Sequence, residues 1–356
     1  MKECFWEILK AGLWNEQNEF QGHTLDEEEW KELWQAAQEQ AVAGIFLEGI
    51  HVLGITLPKT SKMKAMSIWA HIQNMNRFIG QKAEEWCRLL EEPGIELEVF
   101  KGPSVGKWYA NPLARSYGDI DLVITQGWAR IPALLQRKGI PYTREHQDLI
   151  VREDKLIIEL HPFREYLYTP YLNKRLQRMW HEEDGPELYL ACLLLHMRRH
   201  VLTYGIGLKQ FCDVAVMLKN CPMDMEKARR ILLTLHAGKF AQAVFGLLEE
   251  WLGVKCFPLP PSHNQNEKLL ADTVWKDGFL QKREREQQGK QVSSYRRILD
   301  NGIFWIKRSI RLGSLMPEEA CWFPVYMTAR RIQHLTTASE KNEELSRKKK
   351  DFFTFP

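Results

Sequence analysis

The sequence predicts an α+β protein, in which a small mixed sheet flanked by helices lies between N-terminal and C-terminal helical regions. Two observations predict this class. Apolar residues recur every three or four positions through long segments near both ends, which is the spacing of a buried helix face. Short β-branched and apolar runs are confined to about 95–162, so one small sheet is expected there. We therefore expect three regions, 1–93, 94–185 and 186–356.

The N-terminal region is predicted to consist of helices. Thr24 and Glu27 have the spacing of a capping box, and the helical periodicity that follows them extends to Phe46. A second helix is predicted over about 61–92, where apolar residues again share one face. A Pro-Gly pair directly after this segment provides its stop.

The central region is predicted to hold the strands. They cover 95–100, 120–125, 148–152 and 155–160, and a helix covers 128–138. The last two strands are joined through a turn at Glu153-Asp154. The C-terminal region then returns to helix at Pro186, a residue suited to a first helical turn. Further helices are predicted over 187–203, 207–219, 224–236, 238–252, 293–311 and 317–335.

Composition and charge exclude several classes of protein. The 356 residues include 49 Lys plus Arg and 46 Asp plus Glu, so the whole molecule is no polycation and nucleic-acid binding would need local patches. The seven cysteines form no C-x-x-C pair, which argues against a disulfide framework. Glu3 and Glu7 interrupt the first apolar stretch, so no signal peptide is expected, and no window is apolar enough for a membrane span. The expected compartment is a reducing cytoplasm.

Three carboxylates of the central region have a spacing suited to a metal ion. Asp119 and Asp121 are two residues apart on a predicted strand, so both side chains point to one face. Two neighbouring ionised carboxylates repel each other, and a divalent cation relieves that repulsion. Oxygen ligands of this kind suit Mg²⁺, which commonly also binds substrate phosphates. Glu159, on a later strand, could complete the metal site or accept a proton from an attacking hydroxyl.

The turn after the first predicted strand has features of a phosphate site. Gly102 lies where the strand ends and a helix begins, and a glycine there allows backbone amides to approach a phosphate. Pro103 departs from this pattern because it has no N–H to donate. Lys101 and Arg115 could neutralise phosphate charge or pair with nearby acids. Together with the three carboxylates, these residues suit phosphoryl or nucleotidyl transfer.

A resemblance to a known superfamily is carried by the segment FKGPSVGKWYANPLARSYGDIDLVI and by the later strand IIELH. The pattern resembles that of the polymerase-β-like nucleotidyltransferases, which have a glycine turn followed by D-x-D on the next strand. Within that superfamily it is most similar to the family described as uncharacterised nucleotidyltransferases, which has a similar order of K-G, R, G-D-I-D-L and E-L-H. The resemblance is tight over about 97–125 and 156–162, and it weakens toward about 215.

The resemblance implies a role for each of these residues. Asp119, Asp121 and Glu159 would be the catalytic and metal-binding acids, for one or two Mg²⁺ ions. A nucleoside triphosphate would contact a second set, formed by Lys101, Gly102, Ser104, Arg115, His200, Lys209 and Asp213. For the members in predicted helices, the alternative is a core histidine and a helical Lys–Asp pair. A zinc site at His196 and His200 would need a third ligand, which the sequence does not identify.

The implied function is Mg²⁺-dependent transfer of a nucleoside monophosphate from a nucleoside triphosphate to a hydroxyl acceptor. The acceptor could be a small molecule, a protein or an RNA, and the sequence does not decide between them. Two alternatives stay open: a catalytically silent nucleotide- or RNA-binding module that keeps the fold, and a helical RNA-binding protein in which the sheet is only a scaffold. No membrane partner is expected.

Overall fold

A computed structural model of the protein describes residues 3–145, 147–154, 156–203, 205–277 and 294–331. These residues form a five-stranded mixed sheet flanked by helices, so the predicted α+β class is confirmed. The predicted helix at the C-terminal end is described through residue 331, and its remaining predicted residues lie outside the described ranges.

The N-terminal region contains α1 (Glu3–Trp14), α2 (Glu27–Glu39), α3 (Ala43–Val52) and α4 (Lys59–Glu91). The predicted capping box is wrong by two residues. Thr24 lies in a short bridge with Thr56, which keeps its backbone away from the helix start. Asp26 caps α2 instead, and it exchanges hydrogen bonds with Glu29 across the first turn. Ala41, with φ of 57°, then interrupts the periodicity between α2 and α3.

The central region contains β1 (Glu96–Phe100), α5 (Pro103–Gly106), β2 (Ile120–Gln126), α6 (Ile131–Arg137), β3 (Tyr142–Glu145), β4 (Asp148–Glu153) and β5 (Leu156–His161). The strand order is β1-β2-β5-β4-β3, in which β2 and β5 are parallel and the other neighbours are antiparallel. Strand β3 was not predicted. All four of its residues are exposed at the sheet edge, so they lack the alternation that marks a half-buried strand.

The two faces of the sheet pack against different helices. Leu122 of β2 and Leu160 of β5 lie in a core formed with α4 and α6. Because side chains alternate along a strand, Asp121 and Val123 point to the other face. On that side Val123 joins the large core of the helical regions. Asp121 therefore lies between the sheet and the C-terminal helices.

The C-terminal region contains α7 (Pro170–Glu182), α8 (Pro186–Thr203), α9 (Leu208–Asn220), α10 (Met225–Thr234), α11 (Gly238–Leu252), α12 (Gln265–Asp277), α13 (Ser294–Leu312) and a further helix over 317–331. Helix α7 was not predicted, because only Leu172, Leu176 and Met179 are buried among its polar residues. The N-terminal and C-terminal regions meet where Trp6 of α1 stacks on Trp251 of α11, with ring centroids 5.1 Å apart. No helix within the described ranges is long and apolar enough to cross a bilayer.

Candidate active site

Two of the predicted acids meet across the parallel strand pair. Asp121 on β2 and Glu159 on β5 are register partners, so their carboxylates lie side by side on the face toward the C-terminal helices. Asp119, exposed and one residue before β2, acts electrostatically on Glu159. Ligand atoms of Asp121, Glu159 and His161 lie within 4.8 Å of one another, and this is the one candidate metal group of His, Cys, Asp or Glu side chains within the described ranges. Two carboxylates and an imidazole fit a divalent cation.

Asp121 contacts two side-chain cations. The Lys101 Nζ lies 3.2 Å from its Oδ1 atom, and the His161 Nε2 lies 3.1 Å from the same oxygen. Burial alone would raise the pKa of Asp121, but the charge of Lys101 and the hydrogen bond from His161 outweigh it. The pKa therefore falls well below its usual range, and Asp121 is ionised at any physiological pH.

His161 bridges three acids. Its Nδ1 lies 3.0 Å from Asp148 Oδ1, and its Nε2 lies 3.4 Å from Glu159 Oε2 in addition to the contact with Asp121. Burial lowers the pKa of His161, yet the hydrogen bonds to Asp121 and Asp148 raise it by more, to about 9. In the protein without a bound ion, the ring is therefore a cation that partly neutralises the cluster.

Glu159 differs from Asp121 in the direction in which its pKa is shifted. Burial raises its pKa first, and the negative charge of Asp121 raises it further, while His161 opposes the shift. A raised carboxyl pKa suits a proton acceptor more than a permanently ionised ligand. This property agrees with the sequence argument that gave Glu159 two possible roles.

The turn between β1 and α5 is held by a closed loop of hydrogen bonds. The Lys101 N–H donates to the Tyr189 hydroxyl at 2.8 Å, and the Ser104 hydroxyl donates to the Lys101 carbonyl at 2.9 Å. Tyr189 and Ser104 hydroxyls are 2.6 Å apart, which leaves Tyr189 as the donor between them. Lys101 and Gly102 have φ of 61° and 46°, a backbone that is strained at the lysine. Pro103 occupies the first position of α5.

Arg115 and Asp213, both predicted to contact nucleotide, contact each other. Arg115 Nε and Nη2 donate to the two carboxylate oxygens of Asp213 at 2.6 and 2.7 Å. The Tyr109 hydroxyl donates to the same carboxylate at 2.6 Å. The pair is almost completely buried and joins α9 to the segment before β2. Their role in nucleotide binding stays a prediction.

Lys209 lies in the electrostatic field of the acidic cluster. Burial lowers its pKa to about 8, and the neighbouring Arg115 contributes in the same direction. The negative charges of Asp213, Asp119 and Asp121 oppose that shift. The ammonium group of Lys209 therefore interacts electrostatically with Asp119 and Asp121 of the sheet region. Helix α9 is therefore near the face of the sheet that carries the predicted metal-binding acids.

The two histidines of α8 are also near this face. His196 and His200 rings are 4.3 Å apart, and His196 Nδ1 lies 2.9 Å from Glu165 Oε2. Burial and the nearby Lys101 lower the pKa of His196 to about 4. Burial also lowers the pKa of His200 well below its ordinary value, with His196 contributing next. Both rings are therefore neutral near pH 7.

The arrangement defines a protein of the nucleotidyltransferase class: a glycine turn, an aspartate pair at the start of one strand and a third carboxylate on its parallel neighbour. The chain belongs to the family of uncharacterised nucleotidyltransferases, which matches residues 26–253, well over half of its length. This match confirms the resemblance found in the sequence and includes every predicted site residue. No curated protein and no solved structure matches the chain.

Sequence reasoning missed three residues that shape the site. Asp148 begins the predicted strand over 148–152, but its place beside His161 depends on the register in which that strand pairs with β5. Tyr189 and Tyr109 are brought to the site by α8 and by the segment after α5, from 85 and 104 residues away from their partners. Only the tertiary fold makes these contacts visible.

Proposed function

We propose that the protein transfers a nucleoside monophosphate from a nucleoside triphosphate to a hydroxyl acceptor, with a divalent cation, and with RNA, a protein or a small molecule as the acceptor. The observation that carries the proposal is the register pairing of Asp121 with Glu159 on parallel strands. It brings two acids from distant parts of the sequence to one face, with Asp119 at the start of the same strand.

In this proposal Asp119 and Asp121 are the principal ligands of the cation, which the sequence argument gives as one or two Mg²⁺ ions, and Glu159 completes the site. When bound, such an ion polarises phosphate oxygens and neutralises charge on the leaving pyrophosphate. Lys101, whose ammonium group contacts Asp121, can exchange that contact for a phosphate oxygen of the substrate. Glu159, with its raised pKa, takes the proton from the acceptor hydroxyl.

The remaining predicted residues have supporting roles in the proposal. Gly102 and Ser104 keep the turn that orients Lys101, and Lys209 presents a cation from α9. Arg115 and Asp213 fix α9 against the sheet, and neutral His200 can hydrogen bond to the nucleotide without adding charge. The buried free thiols, such as Cys192 and Cys212, favour a reducing cytoplasm.

The proposal is tested with triphosphates labelled at different phosphates. Label at the α-phosphate should enter an acceptor from a fractionated cell extract, and label at the γ-phosphate should leave as pyrophosphate. Appearance of γ-label in the acceptor would identify a kinase instead. Each base is tried with Mg²⁺ and with Mn²⁺, and the variant Asp121→Asn provides the background.

A second candidate is a catalytically silent module that binds nucleotide or RNA. Lys101 and His161 both contact Asp121, so side-chain cations can neutralise this carboxylate without an ion. Such a module would bind triphosphate in a thermal shift assay, but no label would be transferred under any condition of the experiment above.

A further inference from the structure

We propose that His161 is a ligand of the catalytic cation, that Asp148 orients it, and that the site consequently prefers a nitrogen-accepting first-row metal such as Mn²⁺ over Mg²⁺. This inference rests on the proposed function and goes further, because it adds two residues and a class of metal to the three-carboxylate site. Neither residue was among those predicted to bind the ion.

The spacing of the three ligand atoms carries the first step. Atoms in adjacent coordination positions of an ion with bonds of about 2.1 Å lie roughly 3.0 Å apart. His161 Nε2 is 3.1 Å from Asp121 Oδ1 and 3.4 Å from Glu159 Oε2. All three atoms lie within 4.8 Å of one another. One ion can therefore contact both carboxylates and the imidazole with little side-chain movement.

The position of Asp148 carries the second step. A histidine ligand commonly donates its other ring N–H to a carboxylate, which fixes the tautomer and the orientation of the ring. Asp148 Oδ1 lies 3.0 Å from His161 Nδ1, on the side of the ring away from Asp121 and Glu159. With Nδ1–H donated to Asp148, the lone pair of Nε2 points toward the two acids.

The ligand chemistry gives the preference for the metal. An all-oxygen site with waters suits Mg²⁺, whereas an imidazole nitrogen favours first-row transition metals, whose affinities for mixed sites rise from Mn²⁺ toward Cu²⁺. A site with two carboxylates, one imidazole and open positions for phosphate keeps the geometry that the proposed transfer requires. In this inference, the neutral imidazole nitrogen of His161 takes a coordination position that a water would occupy in an all-oxygen Mg²⁺ site.

Pulsed EPR of Mn²⁺ tests the ligand directly, because a bound nitrogen produces a ¹⁴N modulation. The untagged full-length protein is loaded with Mn²⁺ and inorganic triphosphate, so that neither an affinity tag nor a nucleotide base contributes nitrogen. We expect ¹⁴N modulation in the wild type, its replacement by a ¹⁵N pattern after selective labelling of histidine, and its loss in His161→Asn. The matched control is His71→Asn, at an exposed histidine of α4, which should keep the modulation.

Calorimetric titration tests Asp148 and the preference. Removal of an outer partner of a histidine ligand weakens metal binding about 10- to 100-fold, so Asp148→Ala should lose roughly that much Mn²⁺ affinity and keep the ¹⁴N modulation. His161→Asn should reduce the ratio of Mn²⁺ to Mg²⁺ affinity by about tenfold.

The outcomes separate this inference from the proposed function. Mn²⁺ bound by the wild type without histidine nitrogen coupling would overturn the inference and leave a carboxylate-only site intact. Equal Mn²⁺ to Mg²⁺ ratios in the wild type and His161→Asn would overturn the metal preference. Absence of any divalent binding, with or without triphosphate, would overturn both proposals. If His161→Asn does not fold, the ¹⁵N-histidine spectrum of the wild type decides alone.

Discussion

Two aspartates of this protein lie in contrasting surroundings. Asp213 and Arg115 form a buried ion pair, which we call the closed pair. Both oxygens of Asp213 accept from Arg115, and Tyr109 adds a third donor. The side chains of Asp213 and Arg115 are only 6% and 4% exposed. Asp121 belongs to a more exposed group with Glu159, Asp148, His161 and Lys101, which we call the open cluster. The side chain of Asp121 is 14% exposed, and that of Glu159 is 31% exposed. Both carboxylate oxygens of the closed pair are hydrogen bonded, and the acids of the open cluster are more exposed to solvent.

The balance of charge differs as well. The pair of Asp213 and Arg115 is neutral, so an additional cation there would be repelled by the guanidinium. The open cluster has more acids than cations, since Asp121, Glu159 and Asp148 surround one imidazole and one ammonium group. An excess of partly exposed acid is what a divalent ion can neutralise. The comparison therefore predicts a structural role for the closed pair and a chemical role for the open cluster.

The largest effect should come from the open cluster. Asp119→Asn with Asp121→Asn should reduce transfer by about 10³-fold or more and abolish the Mn²⁺-dependent thermal shift, because the cation loses two carboxylate ligands. Far-UV circular dichroism should stay unchanged. Thermal stability should fall modestly, since Asp121 loses its contacts with Lys101 and His161.

The matched control is Asp154→Asn, at an exposed aspartate in the turn between β4 and β5. It removes one negative charge from a turn of the same sheet and should leave transfer unchanged. If the double variant transfers nucleotide at the wild-type rate, the open cluster is structural and does not differ in role from the closed pair.

The next effect concerns stability at the closed pair. Asp213→Asn should lower the free energy of unfolding by about 3–5 kcal/mol, because it leaves the buried Arg115 guanidinium without its counter-charge. Denaturant titration measures this loss. Replacing all three partners, as in Tyr109→Phe with Arg115→Met and Asp213→Leu, should recover most of the stability, since neither a buried charge nor an unpaired hydroxyl then remains. If this variant recovers little of the free energy of unfolding, the ion pair stabilises the fold by more than the mutual neutralisation of its two charges.

The same contrast explains what the sequence could predict. Asp119, Asp121 and Glu159 were predicted as one group because each lies within or beside a strand whose periodicity is local, and two-residue spacing predicts that two of them share one face. Arg115 was found as a cation, but its partner on α9 depends on packing 98 residues away. The contact of Asp148 with His161 depends on the register in which β4 pairs with β5, which local periodicity does not fix.

A third and smaller effect sharpens the roles within the open cluster. Glu159→Gln should reduce turnover by about 10²-fold while triphosphate binding changes little, because Asp119 and Asp121 remain to hold the metal and its triphosphate. Single-turnover rates and equilibrium binding of a non-hydrolysable triphosphate separate the two quantities. Equal loss of binding and turnover would make Glu159 primarily a metal ligand, and wild-type turnover would remove it from the mechanism.

The smallest effect should come from the support of the open cluster, at Tyr189. Its hydroxyl accepts from the Lys101 N–H and donates to Ser104, and Lys101 has a positive φ that is unfavourable for a lysine by about 1 kcal/mol or more. Tyr189→Phe keeps the ring and removes only these bonds. The turn should then relax, and the ammonium group of Lys101 should spend less time beside Asp121.

We expect about a tenfold lower kcat/KM in Tyr189→Phe, with a loss of stability near 1 kcal/mol, the value of an ordinary hydrogen bond. The matched control is Tyr117→Phe, which removes a hydroxyl bonded to the Pro112 carbonyl outside the acidic cluster. It should lose a similar or smaller stability and keep its kcat/KM. If both variants lose activity equally, the effect is general loosening. If Tyr189→Phe keeps full activity, the contact with Asp121 is sufficient to position the Lys101 ammonium group, and the hydrogen bonds of Tyr189 from α8 are not needed for it.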